Sequence, residues 1–132
     1  MMEIPKNEKE IIKEKAHFLI EKGYILEEGE FLKYKYSDIT IQIAYSFQEA
    51  GVGIFFQDPF SFFSIGWLYC YIAPQENKKN MENTTEKIQI VLFELEFLKK
   101  NFDKLTKYDF CKRIQEENQA DISNIDPNSF DL

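Results

Sequence analysis

The stretch Ile39-Thr40-Ile41-Gln42-Ile43-Ala44-Tyr45-Ser46-Phe47 alternates large apolar side chains with small or polar ones over nine residues. Successive side chains of a strand point to opposite faces, so the pattern predicts a half-buried β-strand with Ile39, Ile41, Ile43, Tyr45 and Phe47 inward. Gln48-Glu49-Ala50-Gly51 then predicts a turn, and Val52, Ile54 and Phe56 a partner strand. Gly51-Val52-Gly53 belongs with that hairpin turn, because a phosphate loop would also need a third glycine, a Lys-Ser/Thr pair and a following helix. Upstream, Leu32, Tyr34 and Tyr36 share one face opposite Lys33 and Lys35, and such lysines protect an edge strand. Tyr24 to Glu27 offers one more short strand before the Glu28-Gly29-Glu30 turn. Downstream of Asp58-Pro59, Phe62 to Ile72 is apolar on both faces, as in a strand covered on both sides, and Pro74 ends it.

Helical patterns flank the strands. Asn7 and Glu10 have the spacing of a capping pair, Ile12, Ala16, Leu19 and Ile20 recur at helical intervals, and Gly23 suits the position just past a helix end. These signals predict a helix over 8–22. Asn77 to Asn83 reads as a polar connector. Ile88, Val91, Leu92, Leu95 and Leu98 then form one stripe on a long helix from Thr84 or Thr85 to Lys100. Thr106 and Asp109 can open a third helix over about 107–119, with Tyr108, Cys111 and Ile114 inward. The expected fold is α+β: an N-terminal helix, a four- to five-stranded, mainly antiparallel meander, then a long amphipathic helix and a shorter C-terminal helix packed on the sheet. Residues 1–119 form the single domain, and 120–132 an acidic, polar, fraying tail.

Composition agrees with a packed domain. Of 132 residues, 44% are hydrophobic and 16% aromatic, enough for a core without disulfides or metals. The net charge of −7 is unevenly spread: 37–77 holds four acidic residues and no Lys or Arg, and 114–132 holds five acids and no base. Residues 78–113 carry a net +3. An acidic balance disfavours the phosphate backbone, so no nucleic-acid partner is expected. The most apolar stretch, Ile54 to Ala73, is broken by Asp58-Pro59 and Gly66 and does not read as a membrane helix. Met1 to Lys6 lacks the apolar segment of a signal peptide, so a cytoplasmic location is expected. Cys70 and Cys111 lie far apart in sequence and are expected to be buried thiols.

Catalytic groups are sparse. His17 is the one imidazole, and a solvent-facing or hydrogen-bonded structural role is expected for it. The metal-binding spacings are missing, so no metal ligand, cofactor or catalytic residue is assigned. Two carboxylates suffice for glycoside hydrolysis, but Glu94 and Glu96 stand two apart on a helix and point in different directions. A non-catalytic protein is expected. Three phenylalanines crowd the turn in Gln57-Asp58-Pro59-Phe60-Ser61-Phe62-Phe63. Phe60 either anchors a partner from an exposed position or folds back on the sheet. Trp67 is expected in the core, with Gly66 leaving room for a close neighbour.

The leading amphipathic helix is followed by Ile41-x-Ile43-x-Tyr45, Val52-x-Ile54-Phe55-Phe56 and Phe63-Ser64-Ile65-Gly66-Trp67-Leu68, and then by a long amphipathic helix. This order, over residues 8–118, resembles small bacterial immunity proteins of polymorphic toxin and contact-dependent inhibition systems. The resemblance implies a non-catalytic, cytoplasmic antitoxin that binds and neutralises a cognate protein toxin, and it transfers no contact residue. An acidic inhibitor suits a toxin with a basic active-site cleft, because complementary charge speeds association. The candidate partner-binding residues are Glu27, Glu28, Glu30, Asp38, Glu49, Asp58 and Phe60 around the sheet, with Glu116, Glu117 and Asp121 near the third helix. Two alternatives stand beside it: a small-ligand-binding domain with an aromatic pocket between sheet and helix, and an accessory or assembly subunit.

Overall fold

A computed structural model describes residues 6–45, 50–82, 84 and 86–123, with side chains described from 7 to 118. Helices α1 (Lys6–Lys15) and α2 (His17–Glu21) precede the strands β1 (Ile25–Glu28), β2 (Leu32–Tyr36), β3 (Ile39–Tyr45), β4 (Ala50–Gln57) and β5 (Phe60–Ser64). Helices α3 (Ile65–Ile72), α4 (Pro74–Glu82), α5 (Lys87–Lys100), α6 (Phe102–Leu105) and α7 (Tyr108–Ser123) follow. The fold is α+β. Its five strands form one sheet in the order β1-β2-β3-β4-β5, each antiparallel to the next.

Register gives the sheet two unlike faces. Leu26, Tyr34, Ile41, Ile54 and Phe63 line up across all the strands, and Leu32, Ile43 and Val52 form the next row on the same side. Apart from the half-buried Leu26, these side chains are buried, together with Ile12, Ala16 and Leu19 from the first two helices and Val91, Leu95 and Leu98 from α5. Burying each such aliphatic side chain contributes about 1.5–3 kcal/mol. Aromatic rings add to this core between the helices and at one end of the sheet. Tyr69 stacks on Phe97 at 4.3 Å, and Phe56 meets Phe63 at 5.9 Å and Tyr108 at 5.8 Å. The opposite, outer face carries Lys35, Thr40, Phe55 and Phe62 in one row and Glu27, Lys33, Gln42, Gly53 and Ser64 in the next. Most of these residues remain half-buried or exposed.

Several local expectations change. The predicted first helix is two segments meeting at Ala16, and Asn7 lies inside its first turn rather than capping it. Gly23 does end it, with φ +98°; its N–H donates to the Ile20 carbonyl and the Tyr24 N–H to that of Leu19. The apolar run 62–72 is not one strand. Ser64 accepts a hydrogen bond from the Trp67 N–H at 3.2 Å and starts α3, which buries Ile65, Leu68 and Tyr69. Pro74 opens α4 instead of ending a strand, as its missing N–H allows at a helix start, so the expected connector is helical from Asn77 to Glu82, and Asn83 lies outside the described residues. Gly51 and Gly53 lie inside β4, not in its turn. At 16 residues α7 is longer than α5, with 14, and its backbone passes the expected end at 119 to reach Ser123. Cys70 is exposed, whereas Cys111 is buried as expected. Among the described residues no helix is long and apolar enough to cross a membrane.

Candidate functional site

The outer sheet face joins an aromatic ridge to two depressions. Phe55 projects from β4 with Phe62 at 4.7 Å and Phe60 at 6.4 Å between ring centres. Phe60 is 79% exposed and Phe62 52%. Alternation along β5 causes this: Phe63 points into the core, so Phe60 and Phe62 must point outward. On one side of the ridge lies an open groove of about 410 Å³, lined by Lys33, Lys35, Thr40, Gln42, Phe55 and Phe60. Asp38 and Gln57 border the same groove. The Gln57 N–H donates to the Asp38 carbonyl at 2.9 Å, which ties the β2–β3 turn to the end of β4.

The second depression, of about 210 Å³, lies where β5 leaves the sheet, and Glu94 of α5 reaches its floor. The last β4–β5 pair is Gly53 with Ser64. Beyond it β5 turns into α3, and the Val52 N–H donates to Glu94 Oε1 at 2.9 Å instead of to a β5 carbonyl. The Gly66 N–H in the first turn of α3 also donates to this carboxylate. Three glycines make the arrangement fit. A Cβ at Gly66 would lie 3.0 Å from Glu94 Oε2, one at Gly51 would lie 3.5 Å from Oε1, and one at Gly53 would overlap the Phe62 ring. Gly66 therefore leaves room for a close neighbour, as expected, and that neighbour is a carboxylate.

Glu94 is 5% exposed and is the buried charged side chain among the described residues. Burial pushes its carboxyl up to about 7, against the two backbone N–H donors that favour the ionised form. Among the described residues no lysine, arginine or histidine pairs with it, whereas Glu27, Glu28 and Glu96 each pair with a lysine. Glu96 pairs with Lys15 at 2.7 Å, so the two α5 carboxylates diverge as their spacing requires. Sequence reading gave Glu94 no binding role. The available signal was its place in the buried stripe, flanked by Val91, Leu95 and Leu98 at helical intervals.

The other predicted contact residues are dispersed. On β1, Glu27 faces outward and pairs with Lys35 at 2.8 Å, while Glu28 pairs with Lys9 at 3.1 Å and Lys13 at 3.5 Å. Hydrogen bonds from these lysines hold both carboxyls below their ordinary range. Glu30 is exposed in the β1–β2 turn, at the opposite end of β2 from Asp38. Asp38 and Asp58 are exposed on neighbouring turns at one end of the sheet, beside Phe60. Glu116 and Glu117 are exposed on α7, the latter 3.9 Å from Arg113. Glu49 and the Asp121 side chain lie outside the described residues. His17 is exposed and lies 3.8 Å from Glu21. Trp67 is half-buried against Tyr71 at 4.4 Å, rather than central to the core. Among the described residues no three His, Cys, Asp or Glu side chains gather in a way that could hold a metal ion. No family model, curated protein or solved structure matches the chain.

Proposed function

We propose that this protein is a non-catalytic binding partner of the immunity type, which neutralises a cognate bacterial toxin by covering it with the outer face of its sheet. The observation that carries the reading is Phe60, 79% exposed, standing with Phe55 and Phe62 on the sheet face opposite the core. Exposed rings on a rigid sheet supply large contact area at low ordering cost, and aromatic anchors dominate interface energetics. Asp38 and Asp58 stand at the rim of the same patch, where acidic charge steers a basic partner and matters more for association rate than for final affinity. The close packing of Ile41, Ile43 and Ile54 from the sheet with Val91, Leu95 and Leu98 from α5 favours this reading over a ligand pocket inside that layer.

The test is co-purification from the native host with the product of the adjacent gene, followed by measured affinity and protection from that product's toxicity. Nanomolar binding that weakens with salt, with Phe60→Ala and with Asp58→Lys is the expected result. A folded Phe60→Ala protein that binds and protects like the wild type would overturn the reading. So would a specific bound metabolite with no protein partner.

A further inference from the structure

We infer that the pocket above Glu94 is a receptor for a single alkyl-linked cation, a guanidinium or primary ammonium group, presented by an arginine or lysine side chain of the bound partner. The partner as source rests on the binding reading above. The chemistry of the pocket does not.

Glu94 is a buried ionisable group without a cationic neighbour. Among the described residues Lys9, Lys13, Lys15, Lys35, Lys78 and Arg113 pair with surface glutamates. None is paired with Glu94, the acid that burial penalises most. Its environment is neutral on every side that the pocket shows: Gln42 and Ala44 from β3, Gly51 and Gly53 from β4, and Phe62 and Ser64 from β5. Gly66, from α3, offers only backbone. A carboxylate has about four lone-pair directions, and the Val52 and Gly66 N–H groups occupy two. The remaining directions are available to a donor entering from the outer face, where Gly51 has no Cβ to stand beside Oε1.

The walls suit an organic cation. The Phe62 ring lies across Gly53 and offers a cation–π surface, and the Gln42 and Ser64 side chains carry oxygen acceptors. Calcium or magnesium would need six or more oxygen ligands, and only Glu94, Gln42 and Ser64 supply side-chain oxygen here. At about 210 Å³ the space is below the usual range for cofactors and matches one side-chain end. A structural tie between α5, β4 and α3 would need only a neutral acceptor. An ionisable carboxyl adds a desolvation penalty that a bound cation would offset. Because the Glu94 carboxyl holds its proton to about pH 7, cation binding near neutrality must release that proton, and affinity must rise with pH.

The probe is n-propylguanidinium chloride, titrated into the full chain with NMR detection of the Glu94 carboxyl carbon and the Val52 and Gly66 amides. The expected result is a saturable shift at these three positions, at least fivefold tighter at pH 8 than at pH 6. Glu94→Gln should weaken it at least tenfold. Gly51→Ala, which keeps the carboxylate and adds one methyl group at the entrance, should weaken it severalfold and serves if Glu94→Gln misfolds. No shift beyond that of equal sodium chloride, or an undiminished shift in both variants, would overturn the site. If the probe binds but no partner is recovered, the site stands and the binding reading falls. If Phe60→Ala abolishes protection while the probe does not bind, the site falls and the binding reading stands. A small amine retained on the purified protein in native mass spectrometry would support the cation site and overturn the partner as its source.

Discussion

Glu94 Oε1 accepts a hydrogen bond from the Val52 N–H at 2.9 Å, so a helix carboxylate completes the strand ladder at the point where β5 departs into α3. One side chain thus ties α5, β4 and α3 together. Of the acids in the described core it alone is buried, and its protonation state couples to folding.

That coupling sets a pH dependence. The folded-state carboxyl titrates near 7, above the ordinary 4.5, so between these values the folded chain binds the proton and the unfolded chain does not. Stability therefore falls as pH rises through this window, by about 2 kcal/mol between pH 5.5 and pH 8. Glu27, Glu28 and Glu96 act in the opposite sense, since lysine hydrogen bonds lower their carboxyls. Their contribution is present above pH 4.5 and lost as pH falls below it, outside that interval. Urea unfolding at pH 5.5 and pH 8 should show the loss in the wild type and a flat response in Glu94→Gln. Equal wild-type stability at the two pH values would refute it.

Gly66→Ala tests the close approach. Alanine raises helix propensity by about 1 kcal/mol, but its Cβ would lie 3.0 Å from Glu94 Oε2 and 3.2 Å from Cδ. The crowding should outweigh the gain and destabilise the protein by about 1–3 kcal/mol. In a double-mutant cycle with Glu94→Ala, most of that loss should vanish, giving a coupling of at least about 0.5 kcal/mol. Additive effects would mean that the two residues do not meet.

The thiols should separate cleanly. Cys70 is exposed on α3, while burial pushes the Cys111 thiol up to about 12 and its Sγ donates to the Leu105 carbonyl at 3.3 Å. A disulfide reagent should label one of the two cysteines in the native protein and the second only on unfolding. Cys70→Ser should abolish the fast phase, and its persistence would contradict the placement of Cys111.

Stability and binding should divide between the faces of the sheet. Leu95→Ala, at a fully buried α5 position, should destabilise by about 2–5 kcal/mol. Phe60→Ala should change stability by no more than about 0.5 kcal/mol, yet weaken partner binding by about 2 kcal/mol or more. Chemical denaturation and titration calorimetry on the same two variants check both halves.

The meander was legible because Ile39 to Tyr45 alternates cleanly and one of its faces is buried, which fixes the register. Helix α3 was not, because period-2 and helical patterns become indistinguishable in a run that is apolar throughout. Only the Ser64 cap and the Ile65, Leu68, Tyr69 spacing favoured a helix. In α4, Pro74 looked like a terminator, although proline serves equally at a first helical position. The exposure of Phe60 follows from strand alternation once Phe63 is placed inward. The Glu94 pocket was hidden for a different reason. Its partners are backbone N–H groups, 42 residues away in the case of Val52, and backbone donors leave no mark on residue identity.

An amide NMR footprint of this chain with its co-purified partner locates the binding surface. If the outer sheet face binds, the largest perturbations fall on Gly53 to Ser64 and on the neighbouring Lys35 to Gln42 segment. A footprint confined to α1, α5 and α7, leaving Phe55, Phe60 and Phe62 unmoved, would contradict it.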